Sequence, residues 1–248
     1  MDRWAGTLGD LLPELSAFST PIPRNLRREL GADGCSQLRT LRAAFEADFA
    51  PPETFLRWMI ENPQILRWPK KRDGQPRRFG QRTERLRQQL IAGDVVVRRL
   101  ALQALDKAGA AGSRRKGWAF EGWTSVDCWL ETRRALVFVE GKRSEPVASA
   151  TDWFPARNQL ARNVEVATEV AMRRGKDFVV VLCSEELLTV TRTGFHASFP
   201  HLTIGERDDL FSHYLGCITW RQVRDVLCPE VEFPANVGEA VEFCANFR

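Results

Sequence analysis

The sequence predicts an α/β protein with a mixed central sheet flanked by helices and a mostly helical N-terminal region. Three observations carry this. Ser125 to Lys142 holds two apolar-rich arms separated by the polar Thr132-Arg133-Arg134, the pattern of two paired strands and their turn. Leu160, Val164, Ala167 and Ala171 form an apolar stripe at helical spacing ahead of Gly175, as a core-facing helix requires. Phe178 to Cys183 is a continuous apolar, β-branched-rich run, typical of a strand covered on both faces.

Each element follows in chain order. Leu38, Leu41, Phe45 and Phe49 recur at helical spacing, Pro51-Pro52 closes that helix, and helical sequence resumes at Glu53. Pro63, Pro69, Gly74 and Pro76 mark an irregular basic connection. Arg82 to Ala108 is again helical, interrupted near Gly93-Asp94, with Val95, Leu100, Leu102 and Leu105 available for a buried side. Gly109 to Gly117 reads as a linker whose glycines do not match the spacing of a phosphate-binding loop. Trp118 to Gly122 reads as a short strand, and Ser125 to Glu131 with Ala135 to Lys142 as a hairpin. Pro155 to Arg174 is a long helix with proline in its first turn. Cys217 to Trp220 and Arg221 to Leu227 supply a last strand and a closing helix. This order of helix, three strands, helix and strand places a sheet between helices. It divides the chain into a basic helical region (residues 1–94), a core (95–228) and a C-terminal tail (229–248).

Composition narrows the function classes. The chain has 248 residues, 44% of them hydrophobic, enough for a real core. The N-terminus lacks the basic start and unbroken apolar run of a signal peptide. No stretch approaches the ~20 apolar residues of a membrane span. A cytoplasmic protein without a membrane partner is expected. Six cysteines (Cys35, Cys128, Cys183, Cys217, Cys228, Cys244) contain no C-x-x-C pair and read as buried, reduced thiols.

Charge is unevenly distributed. Residues 1–116 carry 22 Lys/Arg against 13 Asp/Glu, and residues 117–248 carry 14 against 19, balances of +9 and −5. The basic half includes Arg67 to Arg87, where Arg77, Arg78 and their neighbours surround Trp68 and Phe79. Such a segment neutralises phosphates and can stack on bases, although a solvated loop and helix face would look the same.

The acidic half holds the chemistry. Centring the hairpin between Arg133 and Arg134 puts Asp127 opposite Glu140. A four-residue loop over Thr132 to Ala135 keeps this pairing, whereas a bulge would break it. Opposed side chains have Cβ atoms about 5 Å apart, and like charges there are destabilising unless a cation lies between them. Lys142, two residues beyond Glu140, shares its face. Two acids and an amine form the set that holds Mg²⁺ (or Mn²⁺) and stabilises an attacking water. If Trp118 to Gly122 pairs back around Thr124, Glu121 also faces Asp127. A surface ion pair at a strand end is the plainer reading of Glu140 and Lys142. His196, His201 and His213 sit in no metalloprotease or nucleophile-elbow pattern.

Asp127, the triplet Glu140-Gly141-Lys142, Gln159 on the following helix and the order of elements resemble the PD-(D/E)XK superfamily, the restriction endonuclease-like nucleases, over roughly residues 95–227. The resemblance implies an αβββαβ core and metal binding by Asp127, Glu140 and the Gly141 carbonyl. It further implies a catalytic Lys142, an upstream acid at Glu121, and Gln159 as the helix glutamine of the RecB-like branch. The chain departs from that pattern at Asn163, where the branch places tyrosine, and at Val126, where the family places proline. The implied function is a Mg²⁺-dependent nuclease acting on DNA rather than RNA, with Gln159, Asn163, Arg157, Arg162, Arg77 and Arg78 as nucleic-acid contacts. A non-catalytic binding or protein-interaction module on the same fold is the rival, and a homodimer or larger assembly stays open.

Overall fold

Five strands form one open mixed sheet in the computed structural model, which describes residues 42–131, 134–143 and 145–227. β1 (Arg42–Phe49), β2 (Thr124–Glu131), β3 (Ala135–Gly141), β4 (Asp177–Ser184) and β5 (Tyr214–Thr219) lie side by side in chain order. β2 is antiparallel to both β1 and β3, whereas β3, β4 and β5 are mutually parallel. Between β1 and β2 come α1 (Glu53–Glu61), α2 (Gln81–Ile91) and α3 (Val95–Ala108). α4 (Gln159–Arg174) connects β3 to β4, α5 (Arg192–His196) and α6 (Ile204–Ser212) connect β4 to β5, and α7 (Trp220–Leu227) follows β5. Parallel neighbours cannot be joined by a tight turn, so the helical crossovers follow from the topology.

The β2–β3 ladder pairs Cys128 with Val139, Trp129 with Phe138, Leu130 with Val137 and Glu131 with Leu136, the register of a hairpin centred between Arg133 and Arg134. β1 corrects two expectations. Residues 118–122 form no strand, and the place beside β2 is taken by residues 42–49, whose Phe45 and Phe49 are spaced for a helix. Pairing with β2 overrides that local preference. Phe49 then packs on Phe138 and edge-on to Trp129, with centroids 5.0 and 6.0 Å away. Leu38, Leu41, the tail 229–248, and Cys35, Cys228 and Cys244 lie outside the described residues.

Both faces of the sheet are covered. On one, the expected α4 stripe of Leu160, Val164, Ala167 and Ala171 packs against Phe138, Phe178, Val180 and Leu182. Each such side chain contributes about 1.5–3 kcal/mol on burial. On the other, Val139, Val181, Cys183 and Ile218 meet Trp220 and Val223 of α7. Cys128, Cys183 and Cys217 are buried free thiols, and burial pushes Cys128 up to about 11, with Asp127 adding to the rise.

Caps set the helix limits. α4 starts at Gln159 rather than Pro155, because the Asn158 side chain accepts the Ala161 N–H at 2.7 Å. It ends at Gly175, whose φ of 61° supplies a left-handed cap. The Asp94 carboxylate caps α3 through the Val96 and Val97 N–H groups. The α3 core stripe is Val97, Ala101 and Leu105, whereas Val95 and Leu100 are exposed. Val97, Ala101 and Leu105 join Phe55, Met59 and Trp118 in a separate helical core. Among the described residues, no helix is long and apolar enough to cross a membrane.

Candidate active site

Asp127 lies one residue beyond the last β2–β3 ladder pair, where the register places Glu140 opposite it. β2 alternates buried and exposed residues from Thr124 to Cys128, which leaves Asp127 exposed. Its Oδ2 accepts the Gly141 N–H at 2.7 Å, so the carboxylate is fixed to the end of β3, between Glu140 and Lys142.

Glu140 is wholly buried. Its Oε1 lies 2.6 Å from the Lys142 Nζ, and its Oε2 accepts a hydrogen bond from Asn163 Nδ2 at 2.6 Å. Burial holds the Glu140 carboxyl above the ordinary range and the Asp127 charge adds to this, while Lys142 and Asn163 oppose it. Gly141 packs closely: a Cβ there would sit 3.2 Å from the Trp220 ring and 3.4 Å from Asp127 Oδ2. Trp220 in turn donates its ring N–H to the Lys142 carbonyl at 2.6 Å. The structure therefore brings Asp127, Glu140, Gly141 and Lys142 together.

Two carboxylates and one ammonium leave a net charge of −1. Among the described residues, no group of three or more His, Cys, Asp or Glu side chains could hold a metal ion. A hard cation such as Mg²⁺ usually binds through one or two carboxylates plus waters and substrate phosphate. Asp127 and Glu140 fit that donor set, with Asn163 orienting Glu140.

Other candidate residues are placed differently. Glu121 does not join Asp127 across a ladder: it is buried, and its Oε1 lies 3.1 Å from Arg157 Nε and 3.0 Å from Arg162 Nε. Arg157 is fully buried rather than facing a nucleic acid. It also pairs with Glu165 at 2.6 Å, donates to the Ser198 carbonyl, and lies 3.8 Å from the Phe55 ring centroid. His201 Nε2 completes the cluster 2.7 Å from Glu165. Burial works to lower the Arg157 pKa, but Glu121 and Glu165 outweigh it and hold it up. Burial likewise works to raise Glu165, yet Arg157 and His201 hold it below the usual range. Unpaired buried charge is costly, so this network ties α1 to α4 instead of contacting solvent.

Asn163 is also fully buried, its Nδ2 donating to Glu140, so it positions an acid rather than contacting a strand. Gln159, one turn earlier, is half-buried at the edge of a cleft of about 590 Å³. Arg162 and Arg77 reach the same cleft, Arg162 paired with Glu121 and Arg77 with Asp152. Arg78 is exposed. Trp68 and Phe79 pack on each other and on Trp153. The cleft wall also includes Arg114, Arg115 and Lys116, residues the sequence presents as a linker. Their run of three cations is the one signal that could have marked them. No family model matches this chain, and neither a curated protein nor a solved structure matches it significantly.

Proposed function

We propose that the protein is a metal-dependent nuclease with a restriction endonuclease-like core, hydrolysing phosphodiester bonds of DNA. The observation that carries this reading is the convergence of Asp127, Glu140 and Lys142 at the end of the β2–β3 hairpin, with Lys142 Nζ 2.6 Å from Glu140. Asp127 and Glu140 would hold Mg²⁺ or Mn²⁺. When bound, such an ion supplies a Lewis acid and a more acidic water.

The chain's own groups do the rest. Asn163 fixes the Glu140 carboxylate, and the Gly141 N–H fixes Asp127. Lys142 places a positive charge where negative charge grows on the phosphoryl oxygens, which is most effective in a site of fixed dipoles. The lysine also neutralises the buried Glu140 before substrate arrives. Substrate phosphate approaches from the exposed Asp127 side.

Incubation of pure protein with linear, circular and single-stranded DNA plus Mg²⁺ or Mn²⁺, with EDTA as control, tests the reading. Cleavage is expected with metal and none in EDTA. Asp127→Ala and Glu140→Ala should each abolish cleavage and leave binding intact. Unchanged cleavage in either variant would remove the mechanism. Binding without cleavage by the wild type under every metal would favour the non-catalytic module.

A further inference from the structure

The cleft lined by Trp123 and Gln159, at the starts of β2 and α4, has a chemistry of its own. Its wall carries six cations, Arg77, Arg87, Arg114, Arg115, Lys116 and Arg162, against two acids, Glu121 and Asp152, a surplus of four positive charges. Four of the cations are already engaged, Arg114 by Asp48 at 3.6 Å. Arg77 pairs with Asp152 and Arg162 with Glu121. Arg87 is buried, donates to the Gly117 and Ala119 carbonyls, and lies over the Phe79 and Trp153 rings. Arg114, Arg115 and Lys116 are exposed.

The backbone presents these three residues at a cost. Arg114 has φ −53° and ψ 121°, Arg115 has φ 63°, and the Lys116 N–H bonds the Ser113 carbonyl at 2.9 Å. This is a type II turn, whose third position normally takes glycine. Arg115 is the one non-glycine residue with positive φ among the described residues. Strain of this kind concentrates at ligand-binding sites. At the first position of the turn, Ser113 is 2% exposed and its buried hydroxyl has no hydrogen-bond partner among the described residues. The buried Trp123 Nε1 donor likewise has none, while the Arg114 guanidinium lies 4.9 Å from the Trp123 ring centroid. Unpaired donors beside surplus cations and an aromatic ring suit an anion joined to a base.

Two connections link the cleft to the carboxylates. Trp123 leads directly into β2, which carries Asp127. Gln159, on the cleft, and Asn163, on Glu140, lie one turn apart on the same face of α4, about 6 Å along its axis. We propose that the cleft recognises a terminal phosphomonoester on the nucleic-acid strand that Asp127, Glu140 and Lys142 act on. This rests on the nuclease reading for the identity of the strand. A terminal phosphate carries close to two negative charges at neutral pH and three strong acceptor oxygens, which matches a bounded pocket of concentrated charge. An internal phosphodiester carries one charge and asks only for a groove.

The test is binding in EDTA, where hydrolysis does not intervene. Full-length protein is titrated into fluorescent single-stranded oligonucleotides that end in 5′-phosphate, 3′-phosphate or hydroxyl, with a mononucleotide and inorganic phosphate as competitors. One phosphorylated end should bind at least tenfold tighter than the hydroxyl end. Arg114→Gln with Lys116→Gln should reduce that preference to within twofold. Arg115→Gly, which relieves the turn, should weaken the preference while keeping or raising thermal stability. Asp127→Asn should retain the preference, so a chain that never cleaves but discriminates strand ends keeps the pocket and loses only the reaction. Equal affinity for all three ends overturns the inference even if cleavage is observed. So does binding of the mononucleotide by a protein with no affinity for either phosphorylated strand.

Discussion

Replacing Arg157 with Met tests the assignment of that arginine to the interior. The guanidinium is fully buried and contacts Glu121 at 3.1 and 3.2 Å and Glu165 at 2.6 Å. Met fills similar volume but leaves two buried carboxylates short of a partner. Glu121 keeps Arg162 at 3.0 Å, and Glu165 keeps His201 at 2.7 Å. Breaking a buried ion pair from one side costs about 3–5 kcal/mol. For a chain of this size each kcal/mol shifts Tm by 2–4 °C, so a fall of roughly 6–20 °C is expected. Thermal and urea unfolding at pH 7 measure it. Arg157→Lys should not rescue, because a point charge cannot bridge two carboxylates bidentately. At temperatures where both proteins are folded, DNA affinity should agree within about twofold. A stability loss below about 1 kcal/mol, or a selective loss of DNA binding, would refute the burial argument.

Other outcomes follow from the same geometry. Lys142→Met should lower the cleavage rate by about 10²–10³-fold, the scale of losing one charge-stabilising group, with oligonucleotide binding in EDTA retained. Gly141→Ala drives a Cβ to within 3.2 Å of Trp220 and 3.4 Å of Asp127 Oδ2. Cleavage should fall roughly tenfold with little loss of stability, since small displacements of reacting groups are costly in rate, and adding Trp220→Phe should recover part of it. The Glu165 carboxyl is held below its usual range, so its contribution to stability is fully present above the unfolded-state pKa and is lost as pH falls through the folded one. The stability gap between wild type and Glu165→Gln should therefore be widest near neutral pH and close under acid. A gap that widens below pH 4 would contradict the sign.

What was legible in the sequence was local. The β2–β3 register followed from two apolar arms around one polar break, and the α4 stripe from a 3.6-residue period. β1 was hidden because Ala43, Ala44 and the spacing of Phe45 and Phe49 favour a helix, and only its pairing with β2, some 80 residues later, makes it a strand. Glu121 looked available because its partners Arg157 and Arg162 lie 36 and 41 residues away, and Arg157 because Glu121 is equally distant, beyond any local pattern. Asn163 reads as an ordinary polar helix residue until β3 brings Glu140 to it. The cleft gathers segments near residues 77–87, 113–123 and 148–162, so no single window of sequence displays it.

Titration of Mn²⁺ into metal-free protein, followed by calorimetry or by loss of the free-ion paramagnetic signal, bears most directly on the claim that Asp127 and Glu140 share a divalent ion. Wild type should show a saturable site that both Asp127→Asn and Glu140→Gln remove while the proteins stay folded. Its affinity should fall as pH is lowered, because burial raises the Glu140 pKa and protonating that carboxylate removes a donor. Undiminished binding in either variant, or a folded wild type that takes up no ion with DNA present, would contradict the account.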